Sequence, residues 1–404
     1  MTTPEDRPLA GVRILALEQM LALPVATQIL ARLGADVVKI EPPGGDGGRA
    51  SRPTVADRSG AQVGATFIRG NAGKRSIVVD LKQPEGVALV HALLPRFDVF
   101  AENLRPGVAR RLGVDQETVA SISPSTLYLS VSGFGNSGSP YAAWPAFAAV
   151  GEAIAGLYEL RRPEGELPRV GAGGAIGDLA TALYATIGIL AGLRQRERTG
   201  IGGYVDIAMA DAALAMNDMG PNLWSMNAPD VAKGRNIGVL TAFAAKEGHF
   251  VVSVIREHLW KRFAETVGHP EWLTDERLRT RADWSARVDD VIRPGVEAWA
   301  ADKSKQEAAS LLAAAGVPAA PSNEAADVAA DPHYATRSML HPVQGLATDD
   351  VLVVGDPVKF LGTAEPAPGP LPVLGEHTGQ ILRDELGLAP EEIERLAETG
   401  VVTC

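Results

Sequence analysis

The chain has 404 residues, 46% of them hydrophobic and 22% charged; that make-up is ordinary for a soluble globular protein, and the length exceeds one comfortable core, so two domains are expected. A net charge of −11 works against non-specific nucleic-acid binding but leaves room for a local basic patch that takes a phosphorylated ligand. The one cysteine, Cys404, is the last residue; it can form neither an internal disulfide nor a zinc cluster and points to a reducing cytoplasm.

In the opening stretch MTTPEDRPLAG no basic flank precedes an apolar run, so no secretory signal is expected. Val12 to Leu17 reads as a strand. Pro24, with a fixed φ suited to a first turn, opens a helix with Val25, Ile29, Leu30 and Leu33 on one face and Gly34 at its end. Further strands are read at Val37–Ile40, Ser76–Leu81, Asp98–Glu102 and Leu127–Val131, with a helix over Pro84–Leu94. Strands alternating with helices predict α/β architecture, with a parallel sheet covered on both faces in a doubly wound layout. The longest apolar run, Ala180 to Leu193, is shorter than the roughly 18 residues of a membrane span and reads as a buried helix, so no membrane is expected as a partner. That helix starts at Asp178 and runs to about Arg198, before a turn at Gly200–Gly203 and a segment at Tyr204–Ala208.

The character changes near residue 225. Phe243 to Val254 reads as a hairpin around Glu247-Gly248, a helix follows from Glu257, and Ser304 with Glu307 forms a capping box for a helix that stops at Gly316. We therefore divide the chain into 1–224, the first part of a large domain; 225–324, a small domain; and 325–404, a proline-rich linker and a helical return to the large domain.

Six segments in register resemble the family III CoA-transferases (the CaiB/BaiF family), the group with formyl-CoA, carnitine-CoA and bile-acid CoA transferases and the α-methylacyl-CoA racemases. They are GVRILALEQMLALPVATQILARLGADVVKIEPPGGD (11–46), NAGKRSIVVDLKQPEG (71–86) with FAENLRPGVARRLG (100–113), SGFGNSGSPY (132–141), GAIGDLATALYATIGILAGLRQRERTGIGGYVDIAMADA (174–212), GVPAAPSNEAADVAADP (316–332), and GDPVK (355–359) with LGEHT (374–378). The resemblance implies a Rossmann-like large domain built from both chain ends, a smaller α/β middle domain, and a homodimer of interlocked subunits. It implies an enzyme that moves coenzyme A from an acyl-CoA thioester to a carboxylic acid, with no tightly bound cofactor.

By the same resemblance Asp178, in GAIGDLAT, is the catalytic carboxylate that carries the acyl group and then CoA. Splitting the transfer over a covalent intermediate replaces one hard step with easier ones, and Gly173, Gly174 and Gly177 leave room for a bulky thioester. On the residues alone Asp178 also suits a helix N-cap, and both readings stand together because a helix start favours an anion. Lys82, Asn103, Arg105 and Arg111 are the candidate CoA contacts, since cationic donors near strand ends suit a 3′-phosphate and a pyrophosphate. The resemblance adds Ala22, Val79 and Leu104 to that site. For any single Lys or Arg a solvated surface charge is the ordinary alternative. Lys74 and Arg75 fit the KRS pattern and serve either binding or structure.

Two readings from other classes compete. The βα unit at Val12–Ala35 suggests the dinucleotide site of an NAD-dependent dehydrogenase, but its turn, LALEQMLALP, has no glycine to admit a pyrophosphate, which makes this the weaker alternative. A non-catalytic CoA-binding relative is expected to lack Asp178. Three departures from the family pattern bear on specificity. Leu23 replaces a glycine beside the acyl site and is expected to narrow it. Phe147-Ala148 stands where transferases carry Tyr and an acid and racemases a His-Asp pair. A glycine-rich shielding loop has no clean counterpart, GRNIG (234–238) being a candidate only. A racemase or an intramolecular transferase is thus the nearest alternative. His249, His258, His269, His333, His341 and His377 fall in no metal-ligand spacing, so no metal is expected, and His91 reads as structural.

Overall fold

The computed structural model describes residues 7–136, 138–159, 162, 165–171, 174–228, 238–360 and 369–404. Two compact units are formed: Met1–Tyr158 with Leu167–Asp218 and His333–Cys404, and Glu159–Glu166 with Met219–Pro332. The second unit thus runs to Pro332 rather than 324. The reason is local: Lys305 pairs with Asp327 and donates to the Ser322 carbonyl at 3.1 Å, which ties the helix Ala325–Ala330 to it.

The larger unit is mixed α/β. In chain order it holds β1 (Arg13–Leu17), α1 (Ala22–Arg32), β2 (Asp36–Glu41), β3 (Thr54–Ala56), β4 (Gln62–Gly64), α2 (Ala65–Asn71), β5 (Arg75–Val79), α3 (Pro84–Leu93), β6 (Val99–Glu102), α4 (Val108–Arg111), α5 (Gln116–Ile122), β7 (Leu127–Ser132), α6 (Ala148–Ile154), α7 (Ile176–Thr199), β8 (Tyr204–Ala208) and α8 (Met209–Met216). A seven-stranded sheet runs β5-β2-β1-β6-β7-β8, all parallel, with the C-terminal strand Val402–Thr403 added antiparallel to β5 at its edge. Strands buried on both faces read as unbroken apolar runs, and β6 and β7 are buried at every position. The chain leaves β1 first toward β2 and later, in the other direction, toward β6. This places the switch point of the topology between β1 and β6, where a crevice opens at the carboxyl ends of the strands.

Helix α1 begins at Ala22, two residues before Pro24, whose missing N–H falls among first-turn donors that have no helical partner in any case. Its face also differs from the periodicity. Leu23, Ala26, Thr27 and Leu30 are buried while Val25 and Ile29 are half-buried, because α1 is covered both by the sheet and by α7. Helix α7, 24 residues long, is longer than its central apolar run. By length and composition it could cross a membrane, but half of its most apolar stretch is buried. Small residues set it against the sheet: a Cβ on Gly192 would lie 2.6 Å from Leu127 and one on Gly188 2.8 Å from Val205. Gly200, at φ 73°, ends it.

The smaller unit has a three-stranded antiparallel sheet, β9 (Val239–Ala244), β10 (His249–Val254) and β11 (Ala319–Pro321), in the order β11-β10-β9. The hairpin turns at Glu247-Gly248, and the helix Lys305–Ala314 carries the Ser304/Glu307 capping box. Its core is aromatic, with Trp260 stacked on Trp272 at 5.8 Å and on Trp284 at 4.6 Å.

Candidate active site

Helix α7 crosses back over the sheet before entering parallel strand β8, so it runs against the strands and its N-terminus stands over their carboxyl ends. Asp178 lies there, inside the first turn. The N-cap is Ala175 and has no capping side chain, so the N-cap reading of Asp178 is corrected: it stands at the third helical position. No described residue donates a hydrogen bond to its carboxylate. The structural aspartates behave differently: Asp115 accepts from Glu117 and Thr118, and Asp275 from Arg277. Burial pushes the Asp178 carboxyl up to about 6; the Arg69 guanidinium on α2 pulls it back and the Glu152 carboxylate on α6 raises it further.

Glu152 does what Asp178 does not. It is 3% exposed, its Oε1 accepts the Gly177 N–H at 2.7 Å, and its Oε2 accepts the Tyr158 hydroxyl. Gly177 is required at this approach, since a Cβ would lie 3.1 Å from the Ala148 carbonyl. Neither Glu152 nor Arg69 stands out in the sequence, where nothing links them to Asp178. Both become relevant only because α2 and α6 pack beside α7 or its neighbour α1.

The crevice at the switch point is framed by the loops after β1 and β6. Asn103 clasps them together: its Oδ1 accepts the Gln19 N–H and its Nδ2 donates to the Gln19 carbonyl, both at 2.9 Å. Beneath lies a fully buried charge network. Lys39 donates to Asp46 at 2.8 Å, Lys74 donates to Glu18 and to the Pro24 carbonyl at 2.9 Å, and Thr27 donates to Glu18 at 2.7 Å. Burial lowers the Lys74 pKa to about 8, against the opposing pull of Glu18. Asp46 in turn accepts the N–H of Met20, which is held at φ 64°. Buried charges persist only when paired, so Lys74 is structural: it holds the loop after β1 in place.

Lys82, Arg105 and Arg111 are exposed and form no ion pair among the described residues. Asn103, Leu104 and Arg105 follow β6 directly, Arg111 ends the adjoining α4, and Ala22 starts α1, all at the carboxyl edge. Lys82 follows β5 at the same edge, three strand spacings from β6, or roughly 14 Å. Val79 is different: it is 1% exposed, belongs to the core and pairs with Val402. The side chain offers no surface to a ligand, which corrects its assignment. Leu23 is likewise corrected. It is 0% exposed and packs with Ile14 and Ala26, so it fills the core rather than narrowing a site. Phe147 is 66% exposed at the N-cap of α6. Of GRNIG only Gly238 lies within the described residues; a Cβ there would lie 2.4 Å from the Val254 carbonyl, so this glycine serves the entry to β9.

The site so far described is a half-buried carboxylate in a helical first turn and exposed cations near the carboxyl edge of the sheet; comparison with known proteins gives its family. The family model for CoA-transferase family III matches residues 9–378. The acetyl-CoA:oxalate CoA-transferase of Acetobacter aceti is 36% identical over 95% of this chain and 97% of its own. The succinyl-CoA:mesaconate CoA-transferase of Haloarcula hispanica is 33% identical over 94% of this chain and 96% of its own. The crystal structure of a CaiB/BaiF family protein from Brucella suis superposes with a TM-score of 0.82 at 30% identity, covering 94% of this chain and 99% of that one. The chain belongs to CoA-transferase family III. It is an enzyme of that class, and acyl-CoA and carboxylate substrates fit the family.

Proposed function

We propose that this enzyme transfers CoA between dicarboxylic acids through a covalent intermediate on Asp178. The carboxylate attacks the thioester carbonyl of the donor, forming a mixed anhydride and releasing CoA thiolate. The thiolate attacks the aspartyl carbonyl, which frees the donor acid and leaves an aspartyl thioester. The acceptor carboxylate displaces CoA again to form a second anhydride, and thiolate attack on the acceptor carbonyl restores Asp178. One observation carries the reading: Asp178 is half-buried and its oxygens accept no hydrogen bond from any described residue, although it stands in a helical first turn. A carboxylate with a raised pKa and no donors is more basic and more nucleophilic than a solvated one.

CoA would lie along the carboxyl edge, its phosphates toward Lys82, Arg105 and Arg111. Arg69, exposed and in no ion pair among the described residues, acts on Asp178 from α2 and would take the far carboxylate of a dicarboxylic acid. The relatives named for oxalate and mesaconate support that substrate class. Racemisation needs a proton donor or acceptor on each face of the α-carbon, and Phe147 and Ala148 supply none. A second copy of the chain would cover the exposed Leu179, Leu183, Ile187 and Leu190 on α7, in the cytoplasm. The test is a mass-resolved exchange assay with acyl-CoA donors and a panel of dicarboxylates. Transfer in the wild type and its loss in a folded Asp178→Ala protein are expected; deuterium uptake at the α-carbon of a 2-methylacyl-CoA without any transfer would contradict the reading.

A further inference from the structure

Two acids approach the start of α7, and the unexpected one holds the helix. The N–H groups of a helix's first turn have no partners within the helix and stabilise a nearby anion. Here the Gly177 N–H is given to Glu152 at 2.7 Å, while Asp178, one residue on, receives none. Glu152 is 3% exposed, and its second oxygen is held by the Tyr158 hydroxyl, so one oxygen is fixed by α7 and the other by the segment that follows α6. We infer that Glu152 is a positioning residue for the Asp178 nucleophile: it orders the first turn of α7 and keeps a negative charge beside the carboxylate that must react.

The arrangement favours the covalent step in two ways. Glu152 occupies the donor at the helix start, so Asp178 is not quenched by it and remains basic. Forming the anhydride or thioester also removes the charge of Asp178, which relieves its repulsion from Glu152; the covalent state therefore gains relative to the free carboxylate. Of the titratable groups on the elements around α7, namely Arg32 on α1, Arg69 on α2, Tyr128 on β7, Glu152 on α6, Tyr204 and Asp206 on β8 and Asp211 on α8, Arg69 and Glu152 are the two that act on Asp178, with opposite signs. This inference rests on Asp178 being the nucleophile.

The deciding variant is Glu152→Gln, which keeps an acceptor for Gly177 and removes the charge. An ionised Asp178 is the reactive form, so activity falls as pH drops through its pKa. Removing a neighbouring negative charge lowers that pKa, and the acid limb of kcat/KM should move to lower pH in E152Q, with kcat reduced about tenfold and KM for acyl-CoA little changed. Arg69→Gln should move the same limb to higher pH. A loss of correctly folded enzyme would lower kcat but leave the limb where it was. A folded E152Q with the wild-type kcat and an unmoved limb overturns the inference. Should E152Q not fold, Tyr158→Phe frees one oxygen of Glu152 and leaves the Gly177 contact; a severalfold loss of kcat is then expected, and a wild-type rate overturns the inference. Asp178→Ala separates the two levels. If D178A is inactive and E152Q is unchanged, this inference alone fails, whereas an active D178A removes the nucleophile beneath it.

Discussion

A carboxylate kept without hydrogen-bond donors is costly to the fold, and Asp178 shows the sign of that cost. Its folded pKa of about 6 lies above the ordinary 3.8, so the ionised form is disfavoured in the folded state. Stability from this group is therefore greatest below the unfolded pKa, declines as pH rises, and is fully lost above about pH 6. A shift of that size corresponds to on the order of 2–3 kcal/mol at neutral pH. Asp178→Asn, which cannot ionise, should raise Tm by a few degrees at pH 7.5 and leave it unchanged near pH 4; thermal unfolding at the two pH values checks this, and an equal or lower Tm at pH 7.5 would contradict it. Asp178 stands out as a candidate in the sequence because it sits in a recognisable segment, GAIGDLAT. Glu152 and Arg69 were not, since a buried Glu in a short helix and an exposed Arg acquire meaning only through tertiary approach. Val79 and Leu23 show the reverse: a position can match a site segment while its side chain points into the core.

At the scale of elements, the sheet's switch point explains why the candidate contacts fall on one edge. Each of Ala22, Lys82, Asn103 and Arg105 follows the carboxyl end of a parallel strand, a placement that strand and helix order already implied. The faces of the helices were harder to read. In α1 the periodicity favoured Val25 and Ile29, but cover from two sides buries Thr27 as well, where its hydroxyl meets Glu18 at 2.7 Å. In α7 both faces are apolar: Ala182, Ala185, Ile189 and Leu193 are buried in the core, and Leu179, Leu183, Ile187 and Leu190 face outward. The short β3–β4 pair and α2 carried too little pattern to be read at all. The edge itself can be tested. Lys82→Ala and Arg111→Ala should each raise KM for acyl-CoA, each losing a charge-assisted contact worth on the order of 1–2 kcal/mol when exposed. With a dephospho-CoA thioester as donor the same variants should lose little more; an equal loss with both donors would place these residues elsewhere.

For the whole molecule, the sequence suggested two units and a chain that returns to its first domain, and the C-terminal strand beside β5 is that return. The boundary near 324 was misplaced because the helix tied by Lys305 and Asp327 has no long-range signature in the sequence. The outward row on α7, Leu179, Leu183, Ile187 and Leu190, each at least 37% exposed, predicts self-association. Light scattering should find a dimer that persists on dilution, and Leu183→Glu with Ile187→Glu should disrupt it; an active wild-type monomer would contradict this. Covalent transfer on Asp178 is tested most directly by mass spectrometry of the enzyme quenched during turnover with hydroxylamine present. A hydroxamate is expected on the peptide that carries Asp178, formed only when an acyl-CoA is supplied and missing from Asp178→Ala. Full transfer activity in that variant, or turnover with no modification of Asp178, would contradict it.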